Sequence, residues 1–163
     1  MKKTLQEVIE ETIAMGAYNS IFDSHCSGWV NDIKQMHAKF KVQESVSKLD
    51  KEKLRMFLEF KIKFLQEELD EMKKAFEEGG ENAADDTVDA LIDLCVVSLD
   101  TLGAFNIDAD LAWRRVYEKN MQKDIGTNAK RPNPLGLPDL VKPEGWTPPS
   151  HKDNVGLFGK VFD

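Results

Sequence analysis

Residues 67–71 read Glu67-Glu68-Leu69-Asp70-Glu71, an acidic string of the form EExxE. On a helix, the three-residue spacing of Glu68 and Glu71 sets two carboxylates one turn apart. Hard divalent cations such as Mg²⁺ take carboxylate oxygens, so this spacing suits a metal site. Taken alone, it also suits a solvated acidic face. A second segment sharpens the choice. Asp86, Asp89, Asp93 and Asp100 fall within about 60° of one another on a helix. Val96 and Val97 flank that acidic line, and Asp93 lies inside Leu91-Ile92-Asp93-Leu94-Cys95-Val96-Val97. A helix apolar nearly all round is a buried one. A buried carboxylate without a partner costs several kcal/mol, so it needs a cation or a proton. No Lys or Arg occurs between Lys74 and Arg114, which leaves a metal ion or a cation from another helix. The two acidic segments together point to a metal site between them.

Helices must position these acids. All six prolines lie at or beyond Pro132, which predicts a helical body followed by an irregular tail. The boundaries fall at residues 1–125 for the body and 126–163 for the tail. Five helical segments are expected. The first runs from about Leu5 to Met15, the second from about Gly28 to Phe40. The third begins at the cap Asp50 and continues to Glu78, where Gly79-Gly80 stops it. The fourth spans about Ala83 to Phe105, and the fifth runs from the cap Asp108 to about Gln122. On the third, Leu54, Leu58, Leu65, Leu69, Met72 and Phe76 form an apolar stripe, with Glu68 and Glu71 on its shoulder. On the fourth, Val88, Leu91, Ile92, Cys95, Leu99 and Leu102 form the apolar face, opposite the aspartates. Sustained period-two alternation is absent, so strands have little support and the expected class is all-α.

Composition narrows the function. The 163 residues carry 22 Lys plus Arg and 29 Asp plus Glu, a net charge of −7. So acidic a surface disfavours nucleic-acid backbones and anionic membranes. No apolar run approaches the roughly 20 residues that cross a bilayer. The N-terminal residues lack the apolar stretch of a signal peptide. Cys26 and Cys95 make no zinc motif, and a reducing cytoplasmic setting is the expectation.

The EExxE string, followed about 20 residues later by an aspartate in an apolar helix, resembles the all-α nucleoside triphosphate pyrophosphohydrolases of the MazG-like superfamily. That group includes dimeric dUTPases, dCTP pyrophosphatases and phosphoribosyl-ATP pyrophosphohydrolases. Met36-His37-Ala38-Lys39-Phe40 is similar to the family's histidine-and-aromatic segment. Phe105-Asn106-Ile107-Asp108 with Val116 to Lys123 is similar to the helix that closes the substrate site. Gly145-Trp146-Thr147-Pro148-Pro149 is similar to the C-terminal end of some members. The family signature continues with ExxD. If Asp93 is its aspartate, the glutamate position falls on Ala90, which binds no metal, and Asp89 is the nearest substitute. Asp86/Asp89 offers another register.

The resemblance implies an all-α helical bundle and Mg²⁺ (or Mn²⁺) held by Glu68, Glu71, Asp89 and Asp93, with Glu67 and Asp86 as occasional ligands. It implies water attack at the α-phosphorus of a nucleoside triphosphate, releasing pyrophosphate, with Glu67 or Glu71 accepting the proton. Lys123, Lys119 and Asn120 are the expected substrate contacts, with His37 at base or sugar; each has an ordinary structural reading beside it. The resemblance further implies a homodimer or dimer of dimers. Two alternatives stand beside it: the same chemistry on phosphoribosyl-ATP, and a catalytically silent helical dimer that binds a nucleotide or protein partner, for which Ala90 is the argument.

Overall fold

The computed structural model describes residues 26–129 and 131–163, so the segment expected as the first helix lies outside the described residues. Six helices and one two-stranded sheet make up the described chain: α1 (Cys26–Phe40), α2 (Val42–Ser47), α3 (Lys51–Glu78), α4 (Ala83–Ala104), α5 (Ala109–Met121), β1 (Asp124–Gly126), β2 (Asp139–Val141) and α6 (Phe158–Phe162). The body is all-α. No helix among the described residues is long and apolar enough to cross a membrane.

Local chemistry sets the helix ends. The Asp50 carboxylate accepts from the Lys53 N–H at the start of α3, and Asp108 accepts from the Leu111 N–H at the start of α5. Gly79 ends α3 at φ 60°, a conformation that favours glycine, and its N–H returns to the Ala75 carbonyl.

The antiparallel hairpin of α3 and α4 is the scaffold. Its seam repeats every seven residues. Leu54, Lys61, Glu68 and Ala75 are the buried residues of α3, and Ala90, Val97 and Ala104 are buried at the same interval on α4, with Thr101 beside them. A seven-residue interval keeps one line of side chains facing a partner helix. Two of the four buried α3 positions carry charge, and both lie in the middle of the seam.

The main core sits at one end of this hairpin. Leu54, Ala104, Phe105, Val46 and Val161 cluster there, with Phe57, Leu58, Leu157 and Phe158 against them. Phe105 stacks on Phe158 at 4.3 Å and on Phe57 at 5.8 Å. The tail therefore closes the core of its own chain through α6. Gly156 makes that closure: at φ +47° it passes so near the α4 end that an added Cβ would stand 2.2 Å from the Phe105 carbonyl oxygen. Arg115 on α5 pins the tail with a two-pronged ion pair to Asp153 at 2.7 Å.

Several expectations need correction. The tail is not irregular throughout: β1 and β2 pair antiparallel (Asp124↔Val141, Ile125↔Leu140, Gly126↔Asp139), and α6 follows. Three-residue strands are too short to leave an alternating pattern in the sequence. α2 was not expected either. The apolar faces are partly misplaced. Phe76 is 85% exposed, and Val88, Leu91 and Ile92 on α4 are 61, 47 and 44% exposed. The side of α4 that carries the aspartates is the side that packs on α3. At the end of the tail, where sequence alone offers Val155, Leu157, Phe158, Val161 and Phe162 as anchors, only Leu157, Phe158 and Val161 pack on the core, and Val155 and Phe162 are exposed. Cys95 is half-buried rather than core.

Candidate functional site

Glu68 occupies a seam position that helix pairing would ordinarily give to an apolar side chain, and it is only 7% exposed. Among the described residues, no hydrogen bond or ion pair engages it. Its surroundings are acidic. Burial raises its carboxyl pKa first, and the negative charges of Asp93, Glu71, Glu67 and Asp89 raise it further, in that order. Four of the other five acids expected at a metal site thus act on this one buried carboxyl group. Asp86 is exposed in the first turn of α4 and is not among the charges that perturb Glu68. Asp70, inside the same acidic string, is paired with Lys73 and accepts a hydrogen bond from Gln66, at 2.8 Å each.

The donor set suits a hard divalent cation: every candidate ligand is a carboxyl group, and among the described residues no ion pair engages any of the five. The side chains are not drawn together. Among the described residues, no three His, Cys, Asp or Glu groups are placed to share one ion. Glu67, Glu71 and Asp89 are exposed at the seam's edge and Asp93 is half-buried, so rotation about their side chains decides convergence. Ala90, where the family's glutamate would fall, is buried in the seam at 2% exposure. Its small side chain lets α3 and α4 approach there, and Asp89 and Asp93 stand on either side of it in sequence.

One seam position on, seven residues or about 10 Å along the helix, the other buried charge is fully paired. Lys61 donates to one oxygen of Asp100, and the other oxygen accepts from His37 Nε2 at 2.7 Å. The rings of Phe57, Phe60 and Phe64 lie 5.4–5.7 Å from the Lys61 ammonium. Asp100 therefore belongs to a cation pair from α1 and α3, not to the metal-ligand line suggested by its place among the aspartates. Sequence reasoning left a cation from another helix open, and this is where it acts.

His37 lines a cavity of about 780 Å³ between α1, the end of α4 and the start of α5. Lys34, Lys41 and Arg114 are on its wall, with Asn106 and Asn154. The ring packs on Gly103, where an added Cβ would stand 2.9 Å from His37 Cε1. Sequence reasoning had no means to find this cavity, because its walls come from three separated segments.

The remaining expected substrate contacts lie elsewhere. Lys123 donates to Asn120 at 2.8 Å and lies 5.3 Å from the ring of Trp146. Lys119 donates to Thr147 at 3.1 Å, and its carbonyl accepts from the Trp146 indole at 2.9 Å. These three residues fasten the tail to α5, and they line neither the cavity nor the seam. No family model, no curated protein and no solved structure matches this chain.

Proposed function

We propose that the chain is a Mg²⁺-dependent hydrolase of nucleoside triphosphates, yielding the monophosphate and pyrophosphate. One observation carries this reading: Glu68 is a buried, unpaired carboxylate surrounded by Glu67, Glu71, Asp89 and Asp93. A fold that wanted only stability would put an apolar residue in that seam. The site has two ways to relieve Glu68, a proton or a cation, and a triphosphate can approach so acidic a surface only with cations.

Glu68, Glu71, Asp89 and Asp93 are the proposed holders of the metal. The coupling of Asp89, and not Asp86, to Glu68 favours the Asp89 register. The metal, when bound, supplies charge neutralisation for the phosphate oxygens and a more acidic water. Glu67 or Glu71, exposed beside the seam, takes the proton as water oxygen bonds to the α-phosphorus. The bond from that phosphorus to the bridging oxygen breaks, and pyrophosphate carries away the electron pair. His37 and its cavity lie along the seam from the acids and suit the nucleoside end. Lys119, Asn120 and Lys123 are engaged by one another and by the tail, and the reading does not need them.

The proposed assembly is a homodimer. The outer face of α4 and the α1 side chains Trp29 and Met36 border a continuous apolar groove that a second copy of the same chain would cover. A second reading, a nucleotide-binding dimer without turnover, is favoured by the small buried Ala90 in place of a ligand. Product analysis separates the two. Each dNTP, dUTP included, is incubated with and without Mg²⁺ and resolved by anion exchange. Monophosphate plus pyrophosphate, only with metal and lost in Asp93→Asn, is the expected result. Orthophosphate plus diphosphate would overturn the mechanism, and binding without any turnover would favour the silent dimer.

A further inference from the structure

The Lys61–Asp100–His37 chain has a chemical consequence for the cavity. Asp100 is a carboxylate that accepts on both oxygens, one from Lys61 and one from His37 Nε2. The hydrogen in the histidine contact must therefore be on Nε2. In the neutral ring, Nδ1 is then an acceptor. That atom makes no hydrogen bond among the described residues. The Cε1–Nδ1 edge lies over Gly103, and both residues are in the cavity wall. Lys61 is itself held under three phenyl rings, so the chain starts from a fixed cation.

We infer that Asp100, anchored by Lys61, is a positioning residue that fixes the tautomer of His37 so that Nδ1 presents an acceptor to the cavity and selects nucleotides whose base edge offers an N–H donor there. This rests on the proposed nucleotide chemistry for its ligand, though not for the tautomer. A carboxylate at this position enforces one polarity. An amide of the same shape would offer its NH₂ group to Nε2 and turn the ring around, with the proton on Nδ1. Gly103 belongs to the same device, because a side chain there would displace the ring.

The test reads the ring directly. Long-range ¹⁵N–¹³C correlation spectra of the full chain give the tautomer of each histidine, and the His37 signals are assigned by their loss in His37→Gln. The wild type is expected to carry Nε2–H. Asp100→Asn is expected to carry Nδ1–H, with KM for the best nucleotide raised roughly tenfold, the worth of one lost hydrogen bond, and kcat within about threefold. An Nδ1–H tautomer in the wild type would overturn the inference. So would an Asp100→Asn protein whose tautomer switches while KM stays put. The wild-type spectrum needs no variant to fold. If no nucleotide is turned over at all, the proposed activity fails, and the spectrum still decides the tautomer.

Discussion

At the scale of single residues, the contrast between Lys61 and Glu68 is the informative one. Both are charged, both are buried in the same seam, and they stand seven residues apart. Lys61 has Asp100; Glu68 has only like charges around it. A carboxyl whose folded pKa is raised binds its proton more tightly in the folded chain than in the unfolded one. As pH rises from the ordinary carboxylate range through the raised value, the folded state loses that advantage, so the metal-free protein becomes less stable. Glu68→Gln removes this term. The variant is expected to melt higher than the wild type at neutral pH without metal, by roughly 2–4 °C for each kcal/mol recovered in a chain of this size. Below the ordinary carboxylate range the two proteins should converge. Mg²⁺ should raise the wild-type melting point and leave the variant's unchanged. A variant that melts lower than the wild type in metal-free neutral buffer would mean that Glu68 is not a destabilised acid, and the observation carrying the proposed activity would go with it.

At the scale of elements, the docking of the tail is where local geometry has the largest leverage. Gly156 combines a left-handed backbone with a close approach to Phe105, so Gly156→Ala must either strain the turn or lift α6 from the core. The expected loss is about 1–3 kcal/mol, read as a lower urea midpoint, with faster proteolytic cleavage after residue 126. Unchanged stability would show that α6 contributes little to holding Phe105 in place. This part of the fold was not legible in the sequence, because a proline-rich segment gives no period to read and its contacts are with Phe105, about 50 residues back. The helix ends were legible: Asp50, Asp108 and Gly79 act on their own neighbours, and their chemistry is local. The acids of the proposed site were legible for the same reason, since Glu68 and Glu71 share a helix, as do Asp89 and Asp93. The seam was not. α4 is apolar on most sides, so its sequence fits packing by either face. Ala90, Val97 and Ala104 at seven-residue intervals decided it, the two alanines letting α3 approach the aspartate side. The link from His37 to Asp100 spans 63 residues and exists only once α1 has been laid across the hairpin.

At the scale of the whole molecule, packing α4 on α3 by its acidic side turns its apolar side outward. Val88, Leu91 and Ile92 are left exposed, and Ile92 lines a groove with Trp29 and Met36 of α1, a surface that a lone acidic chain has no reason to keep open. A second copy suits it. Between Lys74 and Arg114 the chain has no basic residue, so neither copy meets an unmatched cation across α4. The acids proposed for the metal lie in the seam and along its edge, and Asp32 is the one acid that lines the groove. The wild type is therefore expected to sediment at twice 18.5 kDa. Ile92→Glu sets a carboxylate into the centre of the apolar face on both copies, and the dimer should weaken by at least about thirtyfold. Every acid proposed to hold the metal comes from one α3–α4 hairpin. The dissociated variant should consequently keep its Mg²⁺-induced rise in melting point even if turnover falls. A wild type that stays monomeric at high concentration would rule out the dimer. Loss of the Mg²⁺ effect together with dissociation would instead mean that a second chain completes the metal site. Analytical ultracentrifugation of Ile92→Glu beside its melting curve distinguishes all three cases, because assembly and metal binding are read independently.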